Sequence, residues 1–325
     1  MWAWDKIQIN ERPAHGHPGR ISNKDDEYAY ITIPDEFWKD VYSYIDSSKQ
    51  KLHIPTHFLS LTFISIVALC VLAFAFIGWP KLMVKSVPYV PEEWFNAMGE
   101  YALSSISSEN DMCLNADGVK ALDKLVLSLS SKSLDASQIK FNVTVPYDKS
   151  DVNAYALVGN NIILPSALID FVNSESELSG VISHEIGHIM HKHSEKSIMQ
   201  AIGSSVLMNL IFMGSGVSGI ADMAVDFEKL YFSRLDEEEA DRFAVDLLNK
   251  NGIGSNGLAS FFMRLMGKEE EDEMHPVLLF LSTHPPTDLR INLLARSSVR
   301  HIDGHKILSN QEWLSLKDIC STDKR

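Results

Sequence analysis

The chain has 325 residues, room for a membrane anchor and a globular domain of ordinary size. Hydrophobic residues make up 45% of it and charged ones 22%, a balance that excludes a disordered or fibrous chain. Its net charge of -14, from 43 acidic against 29 basic residues, offers no basic surface for nucleic acid, so no nucleic-acid partner is expected.

Residues 1–57 carry a predicted strand over 28–33 and a predicted helix over 34–45, and nothing in them points to a job. Residues 58–79, FLSLTFISIVALCVLAFAFIGW, hold no charge, and at about 1.5 Å per residue they are long enough to cross about 30 Å of hydrocarbon. Ser60, Thr62 and Ser65 form no polar stripe, which argues for a transmembrane helix over a buried core helix. The run starts far into the chain and no small-residue cleavage site follows it, so it is expected to stay in the lipid bilayer as a single-pass anchor. Lys39, Lys49 and Lys51 before it and Lys81 and Lys85 after it leave its orientation open.

Residues 80–91 read as a linker, and a domain covering 92–325 follows. Its predicted elements are a helix from Glu92 carrying Trp94, Phe95, Met98 and Leu103, a helix over 118–129, strands over 139–145, 154–158 and 162–164, then helices almost to the end. That is an α+β, helix-rich domain. Cys70 lies within the span, while Cys113 and Cys320 are either a pair that an exported domain would join or two unrelated thiols.

The chemistry concentrates in SELSGVISHEIGHIMHKHSEKS. Leu178, Val181, Ile182, Ile186 and Ile189 mark a helix capped by Ser174 or Ser176, and His184 and His188 fall one turn apart on one face of it. Both imidazoles can then reach one ion at about 2.0–2.1 Å. Glu185, offset around the helix, is placed to be the base that activates water, while neutral imidazoles leave zinc enough charge to act as a Lewis acid. His191 and His193 read as solvated histidines at the helix end, too close along it to complete a tetrahedron. The third ligand is sought in YFSRLDEEEADRFAVDLL, where Glu237 can ligate and Asp241, one turn on, can accept the free N–H of a ligating histidine.

These motifs resemble the membrane-associated gluzincin metalloproteases, the family of the heat-shock protease HtpX, the CAAX prenyl proteases and their soluble periplasmic relatives. The likeness rests on HEIGH together with NAYALVGNNIILPSALI at 153–169, SRLDEEEAD at 233–241 and STHPPTDLRI at 282–291, in family order. It implies a zincin-like domain whose small β-sheet lines the cleft, one Zn2+ per chain held by His184, His188 and Glu237, and Glu185 as catalytic base. It also implies that Asn153 and Ala154 begin the strand along which an extended polypeptide substrate pairs. His284 and Arg290 match a string near the cleft. Either could stabilise the oxyanion; alternatively His284 could cap the zinc or be a turn residue, and Arg290 could pair with an acidic helix start.

One span, where HtpX and the prenyl proteases have several, brings the chain nearer the periplasmic quality-control members and the mitochondrial inner-membrane relative. The apolar stretch 206–213 is too short to cross a bilayer and is expected to pack over the active-site helices or touch the membrane surface. The expected protein is thus a zinc endopeptidase of misfolded or misassembled envelope and membrane proteins, single-pass in a bacterial inner membrane with its protease domain periplasmic. The competing readings are a chaperone-like binding module and a latent, stress-regulated protease using the same cleft.

Overall fold

The structure is a computed structural model and describes every residue except 1, 3–5, 15, 45–55, 107–111, 134–135, 212–231, 270–277, 286, 297–305 and 322–325. The chain divides into two compact units, Met1–Val71 and Leu72–Arg325.

In the first unit, strands β1 (Ile7–Glu11), β2 (Gly19–Asn23) and β3 (Asp26–Ile33) form an antiparallel sheet in that order, closed by helix α1 (Trp38–Tyr44). Ile21, Trp38 and Val41 make its small core. Gly19 is required there, because a Cβ would fall 2.1 Å from a ring carbon of Trp38. The expected strand at 28–33 lies within β3. The expected helix at 34–45 is a single 3-10 turn, Asp35–Phe37, followed by α1; Ile45 lies outside the described residues.

The apolar stretch is helical. Helix α2 (Thr56–Ala73) passes through a π-helical turn, Phe74–Gly78, into α3 (Trp79–Lys85). Within Thr62–Lys85 an 18-residue window has a mean hydropathy of 2.4 and is only 6% buried, so the helix is long and apolar enough to cross a membrane. Helix continues past Trp79, and residues 80–85 of the expected linker are therefore helical. Pro80, which lacks the N–H for a helical bond, falls in the first turn of α3 directly after the π-turn, where the ladder is already interrupted.

The second unit continues with α4 (Glu92–Ile106) and α5 (Ala116–Ser131). Its small sheet has the order β4 (Asn142–Thr144), β6 (Asn161–Ile163), β5 (Tyr155–Leu157); β4 runs parallel and β5 antiparallel to β6, leaving β5 at an edge. After α6 (Ser166–Phe171) come α7 (Glu175–Met190) and α8 (His193–Ile211), with side chains beyond Ser204 outside those described. That leaves the expected packing of 206–213 beyond description. Helices α9 (Arg234–Lys250), α10 (Asn256–Glu269), α11 (Leu278–Thr283), α12 (Asp288–Arg296) and α13 (Asn310–Lys317) complete the unit. The unit is helix-rich with a small sheet, as the sequence pattern implies. α7 is its central helix, packed by α9, α10 and β5, with Leu178, Val181, Ile182 and Ile186 fully buried. Cys113 and Cys320 form a disulfide across 207 residues, joining the segment before α5 to the end of α13.

Candidate active site

α7 starts where the sequence sets it, with the Ser174 side chain accepting the Glu177 N–H at 3.2 Å. α9 starts at Ser233, whose side chain and that of Asp236 cap each other's backbone. The two helices touch at Gly187, where a Cβ would lie 2.9 Å from Ala240 Cα. This close approach brings Glu237 of α9 onto the face of α7 that carries His184 and His188.

The four donor groups converge. His184 Nε2 lies 3.1 Å from His188 Nε2 and 3.4 Å from Glu237 Oε2, and His188 Nε2 lies 3.5 Å from Glu237 Oε1. His284 Nδ1 joins them, 3.4 Å from His184 Nε2 and 3.0 Å from Glu237 Oε1. Tetrahedral zinc with arms of about 2.0–2.1 Å sets neighbouring donors about 3.3–3.4 Å apart, so this set fits such an ion. Its charge fits too, since the buried carboxylates Glu185, Glu237 and Asp241 face one buried guanidinium, Arg290. A cation answers that excess. Glu185 is fully buried and neither oxygen has a side-chain hydrogen-bond partner among the described residues. Burial pushes its pKa up, against the opposing pull of His284 and His184.

Behind the ligands stands a second layer. Asp241 Oδ1 is 3.0 Å from His184 Nδ1, and Arg290 holds Asp241 through two donors, Nε to Oδ2 at 2.6 Å and Nη2 to Oδ1 at 3.0 Å. Arg290 Nη1 reaches Glu237 Oε2 at 2.7 Å and the Pro285 carbonyl at 3.0 Å. Burial would lower the His184 pKa, but its hydrogen bonds to Asp241 and Glu237, with their charges, raise it to about 9. Arg290, for which the sequence left open an oxyanion role or a pairing with an acidic helix start, has its donors engaged by the carboxylates of α9 and a carbonyl.

His193 is the residue the sequence reading missed. Expected to be solvated, it is 1% exposed, and its Nδ1 lies 3.0 Å from Nδ1 of His188. Its Nε2 faces Glu239 Oε2 at 3.2 Å and Asp236 Oδ1 at 3.4 Å. The cause is local: α7 ends at Met190, and Lys192 adopts a left-handed φ of 55°, which turns the next residue back toward the site. His191 is half-exposed, as expected of a helix-end histidine. The motif His-Lys-His at a helix end was the available signal.

Asn153 and Ala154 immediately precede the edge strand β5 and are fully buried, the Asn153 side chain accepting the Ala154 N–H at 2.9 Å. Thr283, His284 and Phe232 lie across Ala154–Leu157 and leave a cavity of about 10 Å³.

Two histidines one turn apart, a carboxylate from a second helix and a buried glutamate beside them, its Oε1 3.9 Å from His284 Nε2, make up a metallohydrolase-type site. Residues 119–298 match the model of peptidase family M48, and the chain belongs to that family. That family is one of zinc peptidases, and the buried group His184, His188, Glu237 and His284 could hold a metal ion. Relatives include the beta-barrel assembly-enhancing protease of Yersinia pestis, 26% identical over 52% of this chain and 37% of the relative. Metalloprotease YcaL of Escherichia coli is 30% identical over 53% of this chain and 66% of its own. Mitochondrial metalloendopeptidase OMA1 of Arabidopsis thaliana is 30% identical over 46% of this chain and 30% of its own. The matched part spans about a third of the length of the Yersinia pestis and Vibrio cholerae relatives.

Proposed function

We propose that this chain is a membrane-anchored endopeptidase of misfolded or misassembled envelope and membrane proteins. The observation that carries the catalytic part is the convergence of His184, His188 and Glu237 beside the buried carboxylate of Glu185, which has no side-chain hydrogen bond among the described residues. The anchor rests on the apolar helix over Thr62–Lys85. A periplasmic position for the domain is supported by the Cys113–Cys320 disulfide, which belongs to an oxidising compartment.

His184, His188 and Glu237 would hold the zinc, which when bound supplies a Lewis acid for the scissile carbonyl and makes water acidic enough to be activated near neutral pH. Glu185 takes the water proton and passes it to the leaving amine, a task its raised pKa suits. Asp241 accepts the His184 Nδ1–H and so fixes which nitrogen faces the ligand set; Arg290 fixes Asp241 and one oxygen of Glu237. His193 plays for His188 the part Asp241 plays for His184. An extended peptide would pair along β5, recognised by backbone more than by side chains, once Thr283, His284 and Phe232, which lie across the strand, are displaced.

A second reading has its own observation. His284 Nδ1 stands inside the ligand set, and its loop covers β5. This supports a latent form in which His284 supplies a fourth ligand until the loop lifts. The two roles for His284 predict opposite signs: His284→Ala raises the casein rate if the residue blocks the site and lowers it if it assists the reaction.

The test of the main reading is zinc content and casein cleavage for the purified full-length chain. Zinc at about one per chain in wild type and Glu185→Gln, reduced in Glu237→Ala, with cleavage in wild type alone, is the expected pattern. Full zinc in Glu237→Ala would sink the ligand assignment.

A further inference from the structure

One rod joins the apolar helix to the candidate active site. α8 begins at His193, against His188, and ten residues on the carbonyl of Gly203 accepts the indole N–H of Trp79 at 3.0 Å. Trp79 closes the uncharged run, and Lys81 and Lys85 follow it, the aromatic-then-basic order of a membrane–water boundary. The junction is made for close approach. A Cβ at Gly203 would lie 2.6 Å from Met83 Cγ and 3.5 Å from Trp79 Nε1, so a larger residue there would push α8 off α3. The two helices pack on each other, and Ile198 and Met199 of α8 share an apolar cluster with Val87, just past α3. The distance is therefore fixed by packing. At about 1.5 Å per residue, the ten helical residues between His193 and Gly203 span about 15 Å, which sets the scale of the separation between the site and the level of Trp79.

We propose that α8 is a ruler, and that the chain prefers bonds in the juxtamembrane segment of membrane-anchored polypeptides, about five to ten residues from the bilayer. This rests on the anchored-peptidase reading above. An extended chain covers about 3.3 Å per residue, so spanning about 15 Å takes about five residues and a markedly shorter tether falls short of the site. A longer flexible tether reaches it, but its local concentration falls roughly as the -3/2 power of length, about sevenfold between 8 and 30 residues. The spacing profile is steep on the short side and shallow on the long side.

The experiment uses the full-length chain with zinc in liposomes. Single-span reporters carry one cleavable sequence at about 2, 8 and 30 residues from the bilayer, and casein is added to parallel samples. The expected rates are highest near 8 residues, below about a tenth of that at 2, and about sevenfold lower at 30, with casein also cut. Equal rates at all three spacings, or uncut reporters beside cleaved casein, overturn the ruler. Uncleaved casein sinks the peptidase reading itself, a distinguishable failure. Gly203→Leu flattens the profile while leaving the casein rate within about twofold, and Trp79→Phe, which removes only the indole hydrogen bond, weakens the preference in the same direction should the bulkier change unfold the domain. A profile unmoved by both substitutions assigns the spacing to something other than α8 and overturns the proposal.

Discussion

Two helices of this chain break the usual rule for polar and apolar residues, in opposite ways. α7 is buried at every position from Glu177 to Ile189, yet carries Ser179, Ser183, His184, Glu185 and His188. The helix over Thr62–Lys85 carries almost nothing polar before Lys81, yet its apolar side chains lie open, with Phe63 67%, Leu69 68% and Val71 60% exposed. A buried polar group costs stability unless something binds it, and an exposed apolar stripe needs a non-aqueous surrounding. The first helix therefore suits an ion and a reaction, and the second suits the anchor proposed above.

The largest effect that sharpens this contrast belongs to Glu185→Gln. Peptidase rate falls by about 10²–10⁴, the usual worth of a general base, while zinc is retained. Because the substitution removes a buried carboxylate that has no side-chain hydrogen bond among the described residues, the thermal midpoint should hold or rise. A loss of both zinc and stability would mean that Glu185 is structural.

The same truncation on the two helices should then give different results. Leu178→Ala opens a cavity in the core beneath α7 and costs about 2–5 kcal/mol, seen as a lower Tm. Leu69→Ala, on the exposed helix, changes domain stability by less than about 0.5 kcal/mol. Equal losses would erase the distinction drawn above. Replacing the same residue by charge, Leu69→Arg, costs about 2.5–3.5 kcal/mol of insertion at mid-span, read as a smaller fraction of chain retained in membranes after alkaline extraction.

Much of this was legible in the sequence because the signals were local. The i, i+4 spacing of His184 and His188 and the start of α7 at one of two serines are decided within one or two turns; the structure keeps the spacing and selects Ser174 over Ser176 as the cap. Glu237 could be picked out by its own helical face, though its meeting with the histidines depends on Gly187 lying against Ala240. What escaped was set by chain reversals and distance. β1 and β2 are five residues each and mostly polar, too short for a periodic signal; the Cys113–Cys320 pairing spans 207 residues, beyond any spacing rule. For Arg290 the sequence left open an oxyanion role or a pairing with an acidic helix start, because the choice depends on where α12 meets Asp241 of α9, which engages two of its donors.

His193 gives the smallest and most diagnostic test. If His188 offers Nε2 to an ion, its Nδ1 carries the proton and must donate it, and the atom 3.0 Å away is His193 Nδ1. His193 then holds its own proton on Nε2, which faces Glu239 and Asp236. The two amides separate these contacts, since Asn places an oxygen near the Nδ1 position and Gln reaches the Nε2 position. Outer-layer partners of ligating histidines are worth about 10–100-fold in metal affinity, so His193→Gln and His193→Leu should weaken zinc by that factor, while His193→Asn stays within about threefold of wild type. Chelator competition on the three variants measures this directly, without reference to activity. Zinc held as well by Gln as by Asn would leave His193 only filling space, and would make the polar character of this end of α7 a property of α7 alone.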